Sequence, residues 1–231
     1  MSKNSLNLTK DPISVLFVKI AIPSSVGTVF MTLYNLVDTY FAGKISAEAL
    51  AALAQTFPVY FIIIAIGVGL SIGTTSLIAN ALGEKDQKKG SYYLAQSIGL
   101  SIITSIFVSL IGIYFGPSII LLMNDSEVTM KLSMEYLNII FLGSIFILVQ
   151  MTMNSSLSAI GDTKSNRNVL IVSFFLNILL NPLFIFGYGI IPAMGIKGIA
   201  VSTITSQALG TFYIIYKVYK TEFKEYLYLQ C

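Results

Sequence analysis

Histidine and tryptophan are absent from this 231-residue chain, its one cysteine is the final residue, Cys231, and charged side chains make up only 11%. Each shortage excludes something. Without histidine, the Ser-His-Asp and Cys-His constellations and imidazole metal sites cannot be built, and one cysteine cannot form an internal disulfide framework. The chain therefore reads as something other than an enzyme. So few charges cannot coat a water-soluble globule of this size. The balance of 14 Lys+Arg against 11 Asp+Glu leaves only +3, too little for the basic face that a nucleic-acid binder uses to displace counterions. What is plentiful is apolar: 55% of residues are hydrophobic, with 13 Tyr and 15 Phe. The natural environment of such a chain is a lipid bilayer.

A helix crossing the hydrocarbon core needs roughly 20 apolar residues. Six such runs are bounded by Gly, Pro and charge clusters, at about 14–42, 47–82, 90–115, 128–160, 166–186 and 195–219. The expectation is an all-α, polytopic membrane protein in which residues 1–231 form a single six-helix lobe with no soluble domain. The runs are too long and too uniform for a barrel, whose strands alternate over roughly ten residues. Breaks are expected at Gly43–Ser46, Gly83–Lys89, Gly116–Glu127, Gly161–Ser165 and Gly187–Met194, each with a glycine suited to closing a helix. The first ten residues are polar and the apolar run from Ile13 continues past Tyr40, so it reads as a retained helix and not as a cleaved signal.

Charge then sets the orientation, because Lys and Arg collect on the cytoplasmic side of short loops. Six spans place both termini and the second and fourth connections on one side. That side holds Lys3, Lys10, Lys19, Lys85, Lys88, Lys89, Lys164, Arg167, Lys217, Lys220 and Lys224; the other holds Lys44, Lys131 and Lys197. Both termini are expected in the cytoplasm of a cell-membrane protein. A weak internal echo also lies on that side: Ala81-Leu82-Gly83-Glu84 and Ala159-Ile160-Gly161-Asp162, each with a basic residue five places after the acid. Two helix stops at one membrane face account for it better than a repeat does.

Asp38 is the clearest residue out of place, since an intramembrane carboxylate costs at least ~2.5 kcal/mol on insertion scales. Two readings are open. It lies roughly 6 Å from the end of its helix and can reach interfacial water, or it faces the bundle interior and exchanges a proton or small cation. Asn177 and Asn181, four residues apart on one helix face, precede Pro182, which leaves a carbonyl unpaired one turn earlier. These groups can ligate a monovalent cation such as Na+, or can simply hold helices together. By helical rise, Asn181 and Asn177 lie roughly 8 to 14 Å, and Thr203 roughly 12 Å, from the outer helix ends. Tyr136 falls at a similar level. An acid, two amides, a hydroxyl and a phenol thus share a depth, although depth alone does not make their faces converge. Glu135 and Lys19 lie close enough to helix ends to reach the interface.

Pro23, Pro58 and Pro182 each remove a ladder bond and permit a bend. Gly67, Gly69 and Gly73 fit close helix packing, not a phosphate loop, because no strand precedes them and no lysine follows in place.

In order along the chain, Tyr34–Gly43 (YNLVDTYFAG), Gly67–Gly83 (GVGLSIGTTSLIANALG), Ala159–Thr163 (AIGDT), Leu176–Gly187 (LNILLNPLFIFG) and Met194–Gln207 (MGIKGIAVSTITSQ) resemble the multidrug and toxic compound extrusion (MATE) transporters, bacterial multidrug-exporter branch. The resemblance implies two six-helix lobes that rock about a central cavity, and export of hydrophobic or cationic small molecules in antiport with H+ or Na+, with no other cofactor. This chain is similar to the amino-terminal lobe alone, so a carboxy-terminal lobe or a second copy is an expected partner. Asp38 matches the family's acid, Asn177 its amide and Thr203 its hydroxyl, with Tyr136 a looser match. Asn181 stands where many relatives carry a second acid, which favours coupling through Asp38 alone. Two other readings compete: a transport-inactive half or assembly partner, and a flippase for lipid-linked precursors. The flippase would be expected to line its cavity with Arg or Lys.

Overall fold

A computed structural model describes residues 12–123 and 126–221. Lys3, Lys10, Lys224 and Cys231 lie outside the described residues. Among the described residues, six helices are long and apolar enough to cross a membrane: α1 (Ile13–Ile45), α2 (Ala47–Gly83), α3 (Gln87–Leu121), α4 (Glu127–Ala159), α5 (Thr163–Phe186) and α6 (Ile196–Tyr219). Four of these begin on a side-chain cap that accepts from an otherwise unpaired backbone N–H. Ser46 Oγ takes Ala49 N at 3.0 Å, Asp86 Oδ1 takes Lys89 N at 2.9 Å, Ser126 Oγ takes Thr129 N at 3.4 Å and Asp162 Oδ1 takes Ser165 N at 3.0 Å.

The helix α4 occupies the centre, packed against α2, α3 and α6, while α1 lies chiefly on α5. Half of the most apolar window of α4 and of α6 is buried, against 11% for α1 and α3. The fold is apolar outside as well as inside. Leu100, Ile103, Phe107, Leu110, Ile111 and Tyr114 form one exposed stripe along α3, far more than a water-soluble monomer leaves uncovered. Many hydroxyls sit between helices, as when Ser144 Oγ donates to the Ser105 carbonyl at 3.4 Å. Small polar residues let membrane helices approach and hydrogen-bond across the seam.

The glycine stops are corrected in part. Gly161 and Gly187 take positive φ of 78° and 75° just past the ends of α4 and α5, as stops require, while Gly195, at φ 56°, stands at the start of α6. Gly43 and Gly116 instead lie within helices: α1 runs to Ile45, and α3 runs through Pro117 to Leu121 rather than ending near Phe115. Pro117 costs α3 one ladder bond, but buried Gln55 on α2 donates Nε2 to the Ile120 carbonyl at 3.0 Å and holds the extra turn. After Gly83 it is Lys85, at φ 63°, that takes the left-handed turn, and Asp86 that caps α3. The echo holds in the structure only with an offset: the counterpart of Asp162 is Asp86, not Glu84, since each follows a residue at positive φ, caps the next helix and donates its own N–H to the carbonyl five residues earlier, Ala81 at 2.9 Å and Leu157 at 2.8 Å. Glu84 pairs with Lys89 at 2.7 Å, whereas Asp162 caps α5 and Arg167 donates to Asn168. Of Gly67, Gly69 and Gly73 on α2, only Gly67 meets a neighbour: a methyl group there would lie 2.6 Å from the Met151 sulfur, while Gly69 and Gly73 face open space.

Pro23 follows a π turn, Phe17–Ala21. That wider turn relaxes the ladder where proline cannot donate, and Ser24 Oγ donates to the Ile20 carbonyl at 2.9 Å beside it. Pro58 and Pro182 sit within continuous helices.

Candidate functional site

The carboxylate of Asp38 is 6% exposed and faces the bundle, not bulk water. Three neutral donors converge on it. Asn177 Nδ2 and Asn181 Nδ2, one turn apart on α5, each donate to Oδ1 at 2.8 Å. Thr203 Oγ1 on α6 donates to Oδ2 at 3.3 Å, a long and therefore weaker bond. Asn181 Nδ2 also lies 3.1 Å from Asn177 Oδ1, so the two amides orient each other. Both asparagines are fully buried and Thr203 nearly so. The local reason is periodicity: a four-residue spacing puts both amides on the α5 face that α1 covers. Together these groups bind α1, α5 and α6 to one acidic side chain.

No Lys or Arg among the described residues forms an ion pair with Asp38; the pairs present are Glu84 with Lys89 and Glu135 with Lys197. Neutral donors offset part of the cost of removing a carboxylate from water, but a charge without a counter-charge remains several kcal/mol, roughly, short of its hydration. A proton or a small cation supplies what is missing. Oxygen acceptors stand ready for either, since Asn181 Oδ1 and the Tyr34 hydroxyl are buried without a hydrogen-bond partner. Next to Asp38 is a cavity of about 20 Å³ walled by Tyr34, Asn35, Leu53, Thr56, Phe57, Tyr60, Tyr136 and Thr203. A water needs roughly 10–15 Å³ by the same measure, so the space suits one water or one partly dehydrated ion.

Of the candidates named from sequence, Asp38, Asn177, Asn181 and Thr203 are joined by hydrogen bonds. Tyr136 is buried in the cavity wall but makes no hydrogen bond to the carboxylate. Pro182 directly follows Asn181, and Pro58 lies two residues before Tyr60; Pro23 is remote, fifteen residues before Asp38. Sequence reasoning missed Tyr34, Asn35, Thr56 and Tyr60. Tyr34 was findable, because it stands one helical turn before Asp38 and so shares its face. Tyr60 gave no such signal, since only tertiary packing brings α2 to this level. No group of three or more Cys, Asp or Glu able to hold a metal occurs among the described residues, and none contains His because the chain has none.

The MatE family model matches residues 23–183. An FAD transporter of Shewanella oneidensis is 28% identical over 204 residues, covering 88% of this chain and 45% of the relative. The multidrug export protein MepA of Staphylococcus aureus is 27% identical over 209 residues, covering 90% and 46%. Among solved structures, an outward-facing multidrug resistance MATE family transporter of the MOP superfamily superimposes with a TM-score of 0.81 at 29% identity, covering 89% of this chain and 45% of that one. A MOP superfamily transporter from Pyrococcus furiosus gives 0.85 at 27%, covering 95% and 48%. The chain thus spans less than half the length of the relatives it matches. With the match covering most of its length and the six-helix lobe superimposing on solved examples, the chain belongs to the MatE family, whose members are membrane transporters and not enzymes.

Proposed function

We propose that the chain is the amino-terminal lobe of a secondary active exporter in the cell membrane, with its termini in the cytoplasm, moving hydrophobic or cationic compounds outward in antiport with H+ or Na+. The observation that carries this is Asp38, buried under three neutral donors with no cation paired to it. An ionised Asp38 accepts from α5 and α6 and holds α1 against them. Protonation replaces an acceptor with a donor, and a bound cation draws the carboxylate oxygens to itself, so either event weakens these amide contacts. Because the contacts differ between the loaded and empty forms, ion binding favours one arrangement of α1 over another, which is the differential affinity an antiporter requires.

Every Lys and Arg among the described residues lies in a turn or within seven residues of a helix end, so none stands at mid-membrane depth. That favours neutral or cationic cargo over a dinucleotide such as the one the Shewanella relative is named for, and over a lipid-linked phosphate, both of which call for basic side chains. A further observation favours a partner lobe. Ser24, Thr28 and Thr32 are exposed on one α1 face at four-residue spacing, their hydroxyls folded back onto the carbonyls one turn earlier. A polar stripe at membrane depth belongs against protein or an aqueous cavity, which suits a carboxy-terminal lobe or a second copy.

The decisive experiment uses Asp38→Asn in the full-length protein, reconstituted in vesicles with ethidium as cargo under separate Na+ and H+ gradients. Gradient-driven efflux should disappear while membrane insertion stays intact. Normal efflux by the variant would remove Asp38 from the mechanism, and the gradient that drives the wild type identifies the ion.

A further inference from the structure

A second cavity, of about 260 Å³, adjoins the Asp38 pocket and shares Tyr34, Asn35 and Tyr60 with it. Its wall then passes Gln150 and Asn154 on α4 to Asn166 on α5. Asn154 lies five residues before the end of α4, and Asn166 is in the first turn of α5. The cavity thus extends from the wall it shares with the Asp38 pocket to within roughly 8 Å of the helix ends that flank the Gly161 turn. That end of the bundle also carries Lys85, Lys88, Lys89, Lys164 and Arg167.

The wall is polar without being charged. Gln150 Oε1 and Asn154 Oδ1 are buried and have no hydrogen-bond partner, although Gln150 is only 7% exposed. Left dry, each such oxygen costs about 1–3 kcal/mol. The volume holds several waters, and buried water is the ordinary way to satisfy such groups. Carbonyl oxygens on neutral side chains also replace part of a cation's hydration without holding it fast, which is what a conducting path needs.

We propose that the coupling cation travels between Asp38 and the water at the basic end through this cavity inside the lobe, with the Gln150 and Asn154 oxygens as way-stations. Ion and exported compound would then use separate routes, the compound taking the space between lobes. The inference rests on the reading of Asp38 as the ion site.

Accessibility tests it without relying on transport. In full-length protein with Cys231→Ser and any other cysteines replaced, Gln150→Cys and Asn154→Cys are compared with Leu142→Cys, which is 66% exposed on the outer surface of α4. The probe is Ag+, a monovalent cation close to Na+ in size, added to one side of sealed vesicles. Block is scored as lost fluorescein-maleimide labelling after denaturation. Both interior cysteines should be blocked from the basic side at least about tenfold faster than Leu142→Cys, a barrier difference of about 1.4 kcal/mol, and ethidium should not protect them. Equal or slower block, or protection by ethidium, overturns the passage; protection would make the cavity a cargo site.

A kinetic arm uses Gln150→Leu and Asn154→Leu. Each should slow gradient-driven efflux about tenfold with the half-saturating ion concentration unchanged, and Gln150→Asn and Asn154→Ser should restore the rate. An unaltered rate, or a shifted ion affinity, overturns the proposal. If Asp38→Asn still couples, the ion-site reading fails, and the blocking rates still report the passage on their own; if Asp38→Asn is silent and blocking fails, the passage alone is wrong.

Discussion

Two polar regions lie buried in this bundle, side by side and built from similar side chains, yet they are finished differently. Around Asp38 the amides turn their N–H groups inward and converge on an acid, so that three donors meet two carboxylate oxygens. Around Gln150 and Asn154 the amide oxygens accept no hydrogen bond. An amide has both a donor and an acceptor end, and its use depends on what it faces. The first arrangement holds a negative charge in one place; the second offers lone pairs along a path. Residue type alone does not separate a site of storage from a place of transit. Convergence of the amide N–H groups on an acid does, since Asn181 Oδ1 at the first site is as free of partners as the oxygens of the second.

The largest effect that would sharpen this contrast belongs to Asp38. Asp38→Asn should reduce gradient-driven ethidium efflux to background, whereas Asn154→Leu should only slow it; equal loss in both would erase the distinction. Next comes stability. Asn181→Ala removes a donor from Asp38 and a neighbour from Asn177, and should lower stability by about 1–3 kcal/mol, read as a drop in thermal midpoint in detergent. Asn154→Ala removes an oxygen that bonds to nothing and should leave the midpoint nearly unchanged. If the two alanine variants melt together, the convergence on the acid has no energetic meaning. A smaller effect is expected from Thr203→Val, which deletes the long 3.3 Å bond and nearly preserves shape; about 0.5–1.5 kcal/mol is expected. The smallest concerns Glu84→Gln, which breaks a solvent-exposed pair with Lys89. Such pairs contribute little in water, so no change in midpoint or transport is expected.

The six spans were legible because hydrophobic length is a bulk property, summed over twenty or more residues and insensitive to any one of them. Helix ends were less so. Gly116 and Pro117 look like a stop, but the donor that keeps α3 going, Gln55, is on a different helix and 65 residues away. At the site, rise per residue was enough to place Asp38, Asn177, Asn181 and Thr203 at compatible depths. What it lacked was azimuth between helices, which α1, α5 and α6 acquire only by packing. Tyr34 could have been inferred from its one-turn spacing to Asp38. The open oxygens of Gln150 and Asn154 had no precursor signal, because being unpaired is a relation to neighbours and not a property of glutamine or asparagine. The likeness of ordered motifs to a transporter family told more about fold than any single spacing did.

The wide turn at Phe17–Ala21 has a consequence for how this lobe tolerates change. Along a regular helix, gaining or losing one residue rotates everything beyond it by about 100°. Anywhere between that turn and Asp38, such an event would swing the carboxylate away from the asparagines and into lipid. At the turn itself the ladder already accommodates one surplus residue, so a single deletion there can be absorbed by tightening the coil. The first helix therefore carries its one point of length tolerance ahead of Pro23, leaving the stretch that aims the acid phase-locked to its neighbours.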